Sequence, residues 1–175
     1  YLLKVTEDYC NAYQSQSGYY GNYTIYNLLN EYTLYIIPCV NPDGLEIILS
    51  NDTPEKNVRV SELSEYKANK QGIDLNRNFP IAWNYINNGV TSPSDFYFKG
   101  YEGGSAKETQ ALMDLCFKND FSFMISVHIK GNCIFWGDTY KTHNNTIYEA
   151  FAQDICNASG LLMTTPTKKA KDYGG

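Results

Sequence analysis

The stretch QGIDLNRNFP, Gln71 to Pro80, decides how the rest of the chain is read. It sets Arg77 between Asn76 and Asn78, places Asp74 three residues upstream, and ends on a proline. A planar guanidinium flanked by amides offers several directional donors, which suits a carboxylate or a phosphate. The same letters also fit a polar loop that satisfies its own backbone through Asx turns. The chain on either side has to separate these readings.

Working outward, TLYIIPCV (Thr33–Val40) and FSFMISVH (Phe121–His128) are apolar, β-branched and aromatic runs. Both are long enough for a buried strand and short for a helix. NPDG (Asn41–Gly44) follows the first run and predicts a turn, with LEIILS (Leu45–Ser50) as an edge or return strand. Helices are expected over Tyr1–Tyr13, around Ile25–Leu29, from Ser105 onward and from Asn144 or Asn145. Ser105 with Glu108 has the spacing of a capping box. Asn51–Lys70 reads as a charged excursion with one helical turn near Glu62–Tyr66. Ile81–Gly104 reads as a loop packed through Trp83, Phe96, Tyr97, Phe98 and Tyr101. Gly131–Gly137 is a further strand, and Leu161–Met163 a short apolar run. Strands interleaved with helices predict a single α/β domain over residues 1–175, a mixed central sheet with helices on both faces.

The totals bound the function. The chain has 175 residues, 14 Lys+Arg against 19 Asp+Glu, and a net charge of -5, which points away from nucleic acid and anionic membranes. No apolar run reaches membrane-spanning length. Cys10, Cys39, Cys116, Cys133 and Cys156 contain no CxxC pair; four sit among apolar neighbours and read as buried free thiols. GxSxG, GxGxxG and the phosphate-loop motif are absent, which argues against a nucleophile-elbow serine hydrolase and the common nucleotide folds. Of the two histidines, His128 ends an apolar strand, where α/β folds place ligands and reacting groups, and His143 reads as a surface residue. His128 is either a metal ligand or base, or a packed imidazole on a backbone carbonyl. Asp74, Asp43, Glu46 and the cysteines could add metal ligands, and no spacing proposes it.

NPDG, GIDLNRNFP and Ser-x-His, in that order, together resemble the zinc metallocarboxypeptidases of the carboxypeptidase A superfamily. FKG and GSAKETQAL (Phe98–Leu112) extend the resemblance. It implies that His128 is the third zinc ligand and that Asn76 and Arg77 bind the substrate's terminal carboxylate. It further implies that Lys67 stands where the family usually has an oxyanion-stabilising arginine. Asp74 is then either a supporting residue behind the site or the anchor of an Asx turn. The family's His-x-x-Glu ligand pair and its general-base glutamate have no match in this chain. The resemblance therefore implies an internal fragment of a larger catalytic domain, incomplete at both ends, that neither holds zinc tightly nor hydrolyses by itself. Truncated edges would favour self-association. YKANKQGIDLNRNFP and ISVHIKGNCIFWGD look closest to bacterial γ-D-glutamyl-diamino-acid cell-wall peptidases. That implies a peptide or muropeptide with a free carboxylate as substrate, and an extracellular, cell-envelope or spore-associated place of action. A non-catalytic carboxylate-binding relative is the alternative.

Overall fold

The computed structural model describes residues 2–128, 131–136 and 146–164, with Thr146 described for its backbone alone. His143, Asn144, Asn145 and the closing TTPTKKAKDYGG beyond Thr164 lie outside the described residues. The chain forms two compact units, Tyr1–Val40 and Asn41–Gly175.

In the first unit, α1 (Leu2–Gln14) is followed by the antiparallel pair β1 (Tyr19–Tyr20) and β2 (Tyr23–Thr24), then α2 (Ile25–Glu31). Thr24 caps α2 by accepting the Asn27 N–H at 3.1 Å, the ordinary N-cap solution for an orphan helix donor. The two helices meet through Tyr13, which stacks on Tyr26 at 5.0 Å and donates its hydroxyl proton to Asn30 Oδ1 at 3.0 Å. Thr33–Val40 is not a strand; it carries no ladder among the described residues. Its Leu34, Tyr35 and Ile37 are exposed or nearly so.

The second unit begins with a correction. NPDG is not a hairpin turn and LEIILS is not a strand: together they form α3, Pro42–Ser50. The reason is capping. Asn41 Oδ1 accepts the Gly44 N–H at 3.0 Å, Pro42 sits in the first turn where its missing N–H costs nothing, and Asp43 faces the positive helix end. Asn41 Nδ2 donates to the carbonyls of Lys67 and Ala68, at 3.1 and 2.9 Å, and so fastens this cap to the region before Arg77. Gly44 is required there, because a Cβ would lie 2.3 Å from Asn41 Nδ2 and 2.6 Å from the Ala68 oxygen. Asn51 ends the helix in the left-handed region at φ 53. The helix buries Ile47 against Tyr66 and Ala68, with Val58 and Leu63 packed around them. Burial of an isoleucine of this kind contributes about 1.5–3 kcal/mol.

From Val58 to Ala106 the chain is loop, braced by short 3-10 turns at Leu63–Glu65, Leu75–Arg77 and Trp83–Tyr85. Arg59 bridges Ser94, and the Asp95 carbonyl accepts the N–H groups of both Lys67 and Ala68. Buried Asn69 turns its Oδ1 to the N–H groups of Gln71 and Ile73 and its Nδ2 to the Glu108 carboxylate. Gly72 completes this turn at φ +74, where a Cβ would press on Val58 and Pro93. Lys99 closes the Trp83 loop: its ammonium lies 4.1 Å from the indole centroid and donates to the carbonyls of Trp83 and Ile86.

The helix expected from Ser105 is α4, Lys107–Lys118, and its capping box does not form. Tertiary partners take both members. Asn78 Nδ2 donates to Ser105 Oγ, Asn69 holds Glu108, and the Ala106 N–H goes to Asn78 Oδ1 at 2.9 Å. Next, β3 (Cys133–Phe135) runs parallel to β4 (Leu162–Thr164) through α5 (Thr146–Ser159), a βαβ unit with Cys133 opposite Leu162. Phe121–His128 is not paired as a strand among the described residues; Phe123 stacks on Phe151 of α5 at 4.1 Å. The architecture is thus mixed α/β with small sheets flanked by helices, and no large central sheet forms among the described residues. The reading of four buried thiols is also corrected. Cys156 is buried, Cys133 is half-buried, and Cys10, Cys39 and Cys116 are exposed, all five unpaired. No helix among the described residues is long and apolar enough to cross a membrane.

Candidate functional site

Asp74 organises the candidate site. It is buried, and its Oδ1 accepts the Asn76 N–H at 3.1 Å while its Oδ2 accepts the Tyr97 N–H at 3.0 Å. Its own N–H donates to the Phe98 carbonyl, and its carbonyl accepts the Arg77 N–H. An Asx turn on this pattern produces the 3-10 turn Leu75–Arg77. The turn leaves Asn76 exposed and draws Arg77 in. The Arg77 guanidinium donates from Nη1 to the Asn76 carbonyl at 2.9 Å and lies 5.6 Å from the centroid of the Tyr97 ring. A cation over an aromatic face at that distance gains from the ring quadrupole.

Tyr97 connects this turn to Lys67. Together with Ser61, Glu62, Glu65 and Phe96, the two line a cleft of ≈ 290 Å³. The Lys67 side chain is exposed, and its backbone is held at both ends, N–H to the Asp95 carbonyl and carbonyl to Asn41. Below it, the Asp95 carboxylate receives the Ser61 N–H at 2.8 Å and the Ser61 hydroxyl. Burial pushes the Asp95 carboxyl up, but hydrogen bonds from Ser61 and the Glu62 amide outweigh that and leave it below the usual range. Tyr66 is pushed up to about 12, first by burial and then by the charges of Asp95, Asp43 and Glu55. Its hydroxyl donates to the Asn69 carbonyl at 2.6 Å, so it serves this frame as a neutral donor.

A second cleft of ≈ 430 Å³ opens by Asp43, Gln71, Lys107 and Glu108. Of the residues weighed in the sequence Asp43 lines it, whereas Lys67, Asp74, Asn76, Arg77 and His128 do not.

Of the residues singled out in the sequence, the structure brings Asp74, Asn76 and Arg77 into one turn, and Tyr97 links that turn to the Lys67 cleft. His128 is exposed, with Nε2 3.2 Å from Ser126 Oγ, and no described contact joins it to the Arg77 turn. Among the described residues no group of three or more His, Cys, Asp or Glu side chains converges on a metal position. A catalytic zinc takes three protein ligands, so the described residues do not form a complete zinc centre. The roles of Tyr97 beside Arg77 and of Asn78 at the start of α4 were not anticipated. Tyr97 carried no signal, because its partnership with Arg77 crosses a long loop. Asn78 stood in plain view inside NRN, but nothing local marks its role in holding α4.

The Asp74 turn, followed directly by Asn78 that holds the start of α4, stands in a mixed α/β chain. The chain belongs to the zinc carboxypeptidase family, peptidase M14, whose family model matches residues 1–173. It is similar to the uncharacterized protein YqgT of Bacillus subtilis (strain 168), 31% identical over 147 residues, covering 78% of this chain and 39% of that protein. It is also similar to gamma-D-glutamyl-L-diamino acid endopeptidase 1 of Lysinibacillus sphaericus, 28% identical over 192 residues, covering 99% of this chain and 45% of that protein. Murein peptide amidase A of Escherichia coli (strain K12) is 33% identical over 107 residues, covering 57% of this chain and 37% of that protein. The chain thus spans less than half the length of these relatives. No solved structure matches it significantly.

Proposed function

We propose that the full-length protein containing this chain is a zinc-dependent peptidase that cleaves a peptide bond next to a free terminal carboxylate. In this reading Arg77 and Asn76 hold that carboxylate, and Lys67 supplies positive charge on the side of the developing oxyanion. His128 contributes one of the zinc ligands, the remainder coming from outside this chain. When bound, the metal would polarise the scissile carbonyl and activate water. Family membership supports the hydrolytic class. The observation that carries the residue assignment is the Asp74-built turn, which presents Asn76 and Arg77 together and, through Tyr97, beside the Lys67 cleft. The similarity to a gamma-D-glutamyl-L-diamino acid endopeptidase and a murein peptide amidase favours muropeptide stems over ordinary peptides. An extracellular, cell-envelope or spore-associated place of action follows from that substrate.

The full-length protein, assayed on L-Ala-γ-D-Glu-diaminopimelate and on its carboxyl-blocked amide, tests the reading. Charge-assisted hydrogen bonds of about 1.5–3 kcal/mol predict a preference of roughly 100-fold in kcat/KM for the free acid. Equal rates on both would remove the carboxylate role. The chain by itself, dialysed after zinc loading, is expected to retain far less than one equivalent; stoichiometric retention would overturn the division of ligands. Binding of the free acid without hydrolysis by the full-length protein would identify a non-catalytic relative.

A further inference from the structure

We infer that Tyr97 positions the Arg77 guanidinium and thereby sets how strictly the site demands a carboxylate. The inference rests on the carboxylate reading of Arg77 given above. Tyr97 has φ +69, a left-handed backbone that bulky side chains seldom adopt and that persists only where the surroundings enforce it. Here they do. The Tyr97 N–H goes to Asp74 Oδ2 at 3.0 Å, its carbonyl accepts Asn88 Nδ2 at 2.6 Å, and its ring meets Phe96 edge-on at 4.7 Å.

The same Asp74 carboxylate holds the Asn76 N–H on its other oxygen. One buried carboxylate therefore fixes both the backbone that carries the guanidinium and the backbone that carries the ring. The outcome is the Arg77 guanidinium carbon held 5.6 Å from the Tyr97 ring centroid. The ring limits where the guanidinium can lie, and a ligand meets that group through its planar fork of N–H donors. Nη1 is tied within that fork to the Asn76 carbonyl, which further limits rotation. A carboxylate presents two coplanar oxygens to such a fork, whereas a primary amide replaces one of them with a donor. Tyr97 also walls the cleft that holds Lys67, so a chain bound there passes the ring that aims the arginine.

The test uses the full-length protein and the ratio of kcat/KM on L-Ala-γ-D-Glu-diaminopimelate to that on its amide, with melting temperatures beside it. Tyr97→Phe keeps the ring and should stay within about twofold of the parent. Tyr97→Leu and Tyr97→Gly should lower the ratio about tenfold, through KM with kcat little changed, as expected for lost cation–π positioning. Glycine adopts φ +69 without strain, so Tyr97→Gly should melt within a few degrees of the parent and keeps the test open if Tyr97→Leu misfolds. A ratio unchanged in Tyr97→Gly but collapsed in Arg77→Ala would overturn the inference and leave the carboxylate reading standing. A ratio unchanged in Arg77→Ala would overturn the carboxylate reading itself, and the inference with it. A loss in Tyr97→Phe equal to that in Tyr97→Gly would assign the effect to the hydroxyl and overturn the role of the ring.

Discussion

The loop frame from Val58 to Ala106 and the segment from Phe121 to His128 solve the burial problem in opposite ways. In the frame, polar side chains share the interior with Tyr66, Leu75, Ile86 and Phe98: Asn69 and Asn78 are each 0% exposed, and Asp74, Ser94 and Asp95 are buried with them. In the segment, apolar side chains are outside: Met124 is 75%, Ile125 64% and Val127 65% exposed. The frame closes on itself because each buried amide or carboxylate meets backbone groups within reach of its own loop. An extended apolar segment has no such recourse. Its backbone groups need a neighbouring strand, and among the described residues it joins no sheet, while Phe123 stacks on Phe151. Irregular structure is here the better-determined part, and the strand-like sequence the less.

The comparison breaks most directly at Asn78. Its amide donates to the carbonyls of Lys99 and Glu102 and to Ser105 Oγ, and accepts from the Ala106 N–H. Asn78→Ala strands these groups in the interior and should cost about 3 kcal/mol in urea unfolding. A loss under about 1 kcal/mol would mean that water replaces the amide and the frame is not polar-built. Gly72→Ala should follow at about 2 kcal/mol, combining a left-handed φ with a Cβ 2.8 Å from Val58 Cγ1; an unchanged midpoint would show that the loop yields.

Acid sensitivity separates the regions next. The Asp95 carboxyl titrates below its ordinary value of 3.8 in the folded chain. Its contribution is therefore complete above about pH 4 and is lost as pH falls through the lower folded value. Asp95→Asn should remove that part of the pH dependence of stability; an identical acid limb in both proteins would detach Asp95 from the frame. The smallest effect is expected in the segment. Ile125→Thr should shift stability of the chain by under about 0.5 kcal/mol, and a cost above about 1.5 kcal/mol would show the site to be covered.

What was legible in the sequence follows the same division. The Arg77 turn was readable because Asp74, Asn76 and Arg77 are neighbours, and an Asx turn is a local event. The helices α1 and α5 were readable from periodicity, α2 was placed around Ile25–Leu29, and α4 was read from a Ser105–Glu108 capping box that does not form. NPDG misled because Asn, Pro and Asp serve equally as turn formers and as the first residues of a helix. What decided between them was Asn41 reaching the Lys67 and Ala68 carbonyls, a contact that spacing cannot announce. The runs at Thr33–Val40 and Phe121–His128 showed strand composition, but composition does not supply a lateral partner. The role of Tyr97 was illegible, since its φ of +69 belongs to the residues that enclose it and not to tyrosine.

The Asn78 side chain has a further consequence. It follows Arg77 directly in sequence, and it ends on the amide of Ala106, the residue before α4. That amide can trade its proton for solvent deuterium only when the side chain of residue 78 lets go. Slow exchange at Ala106 would then clock how long the arginine turn stays shut, and would lengthen whenever a bound anion stills it.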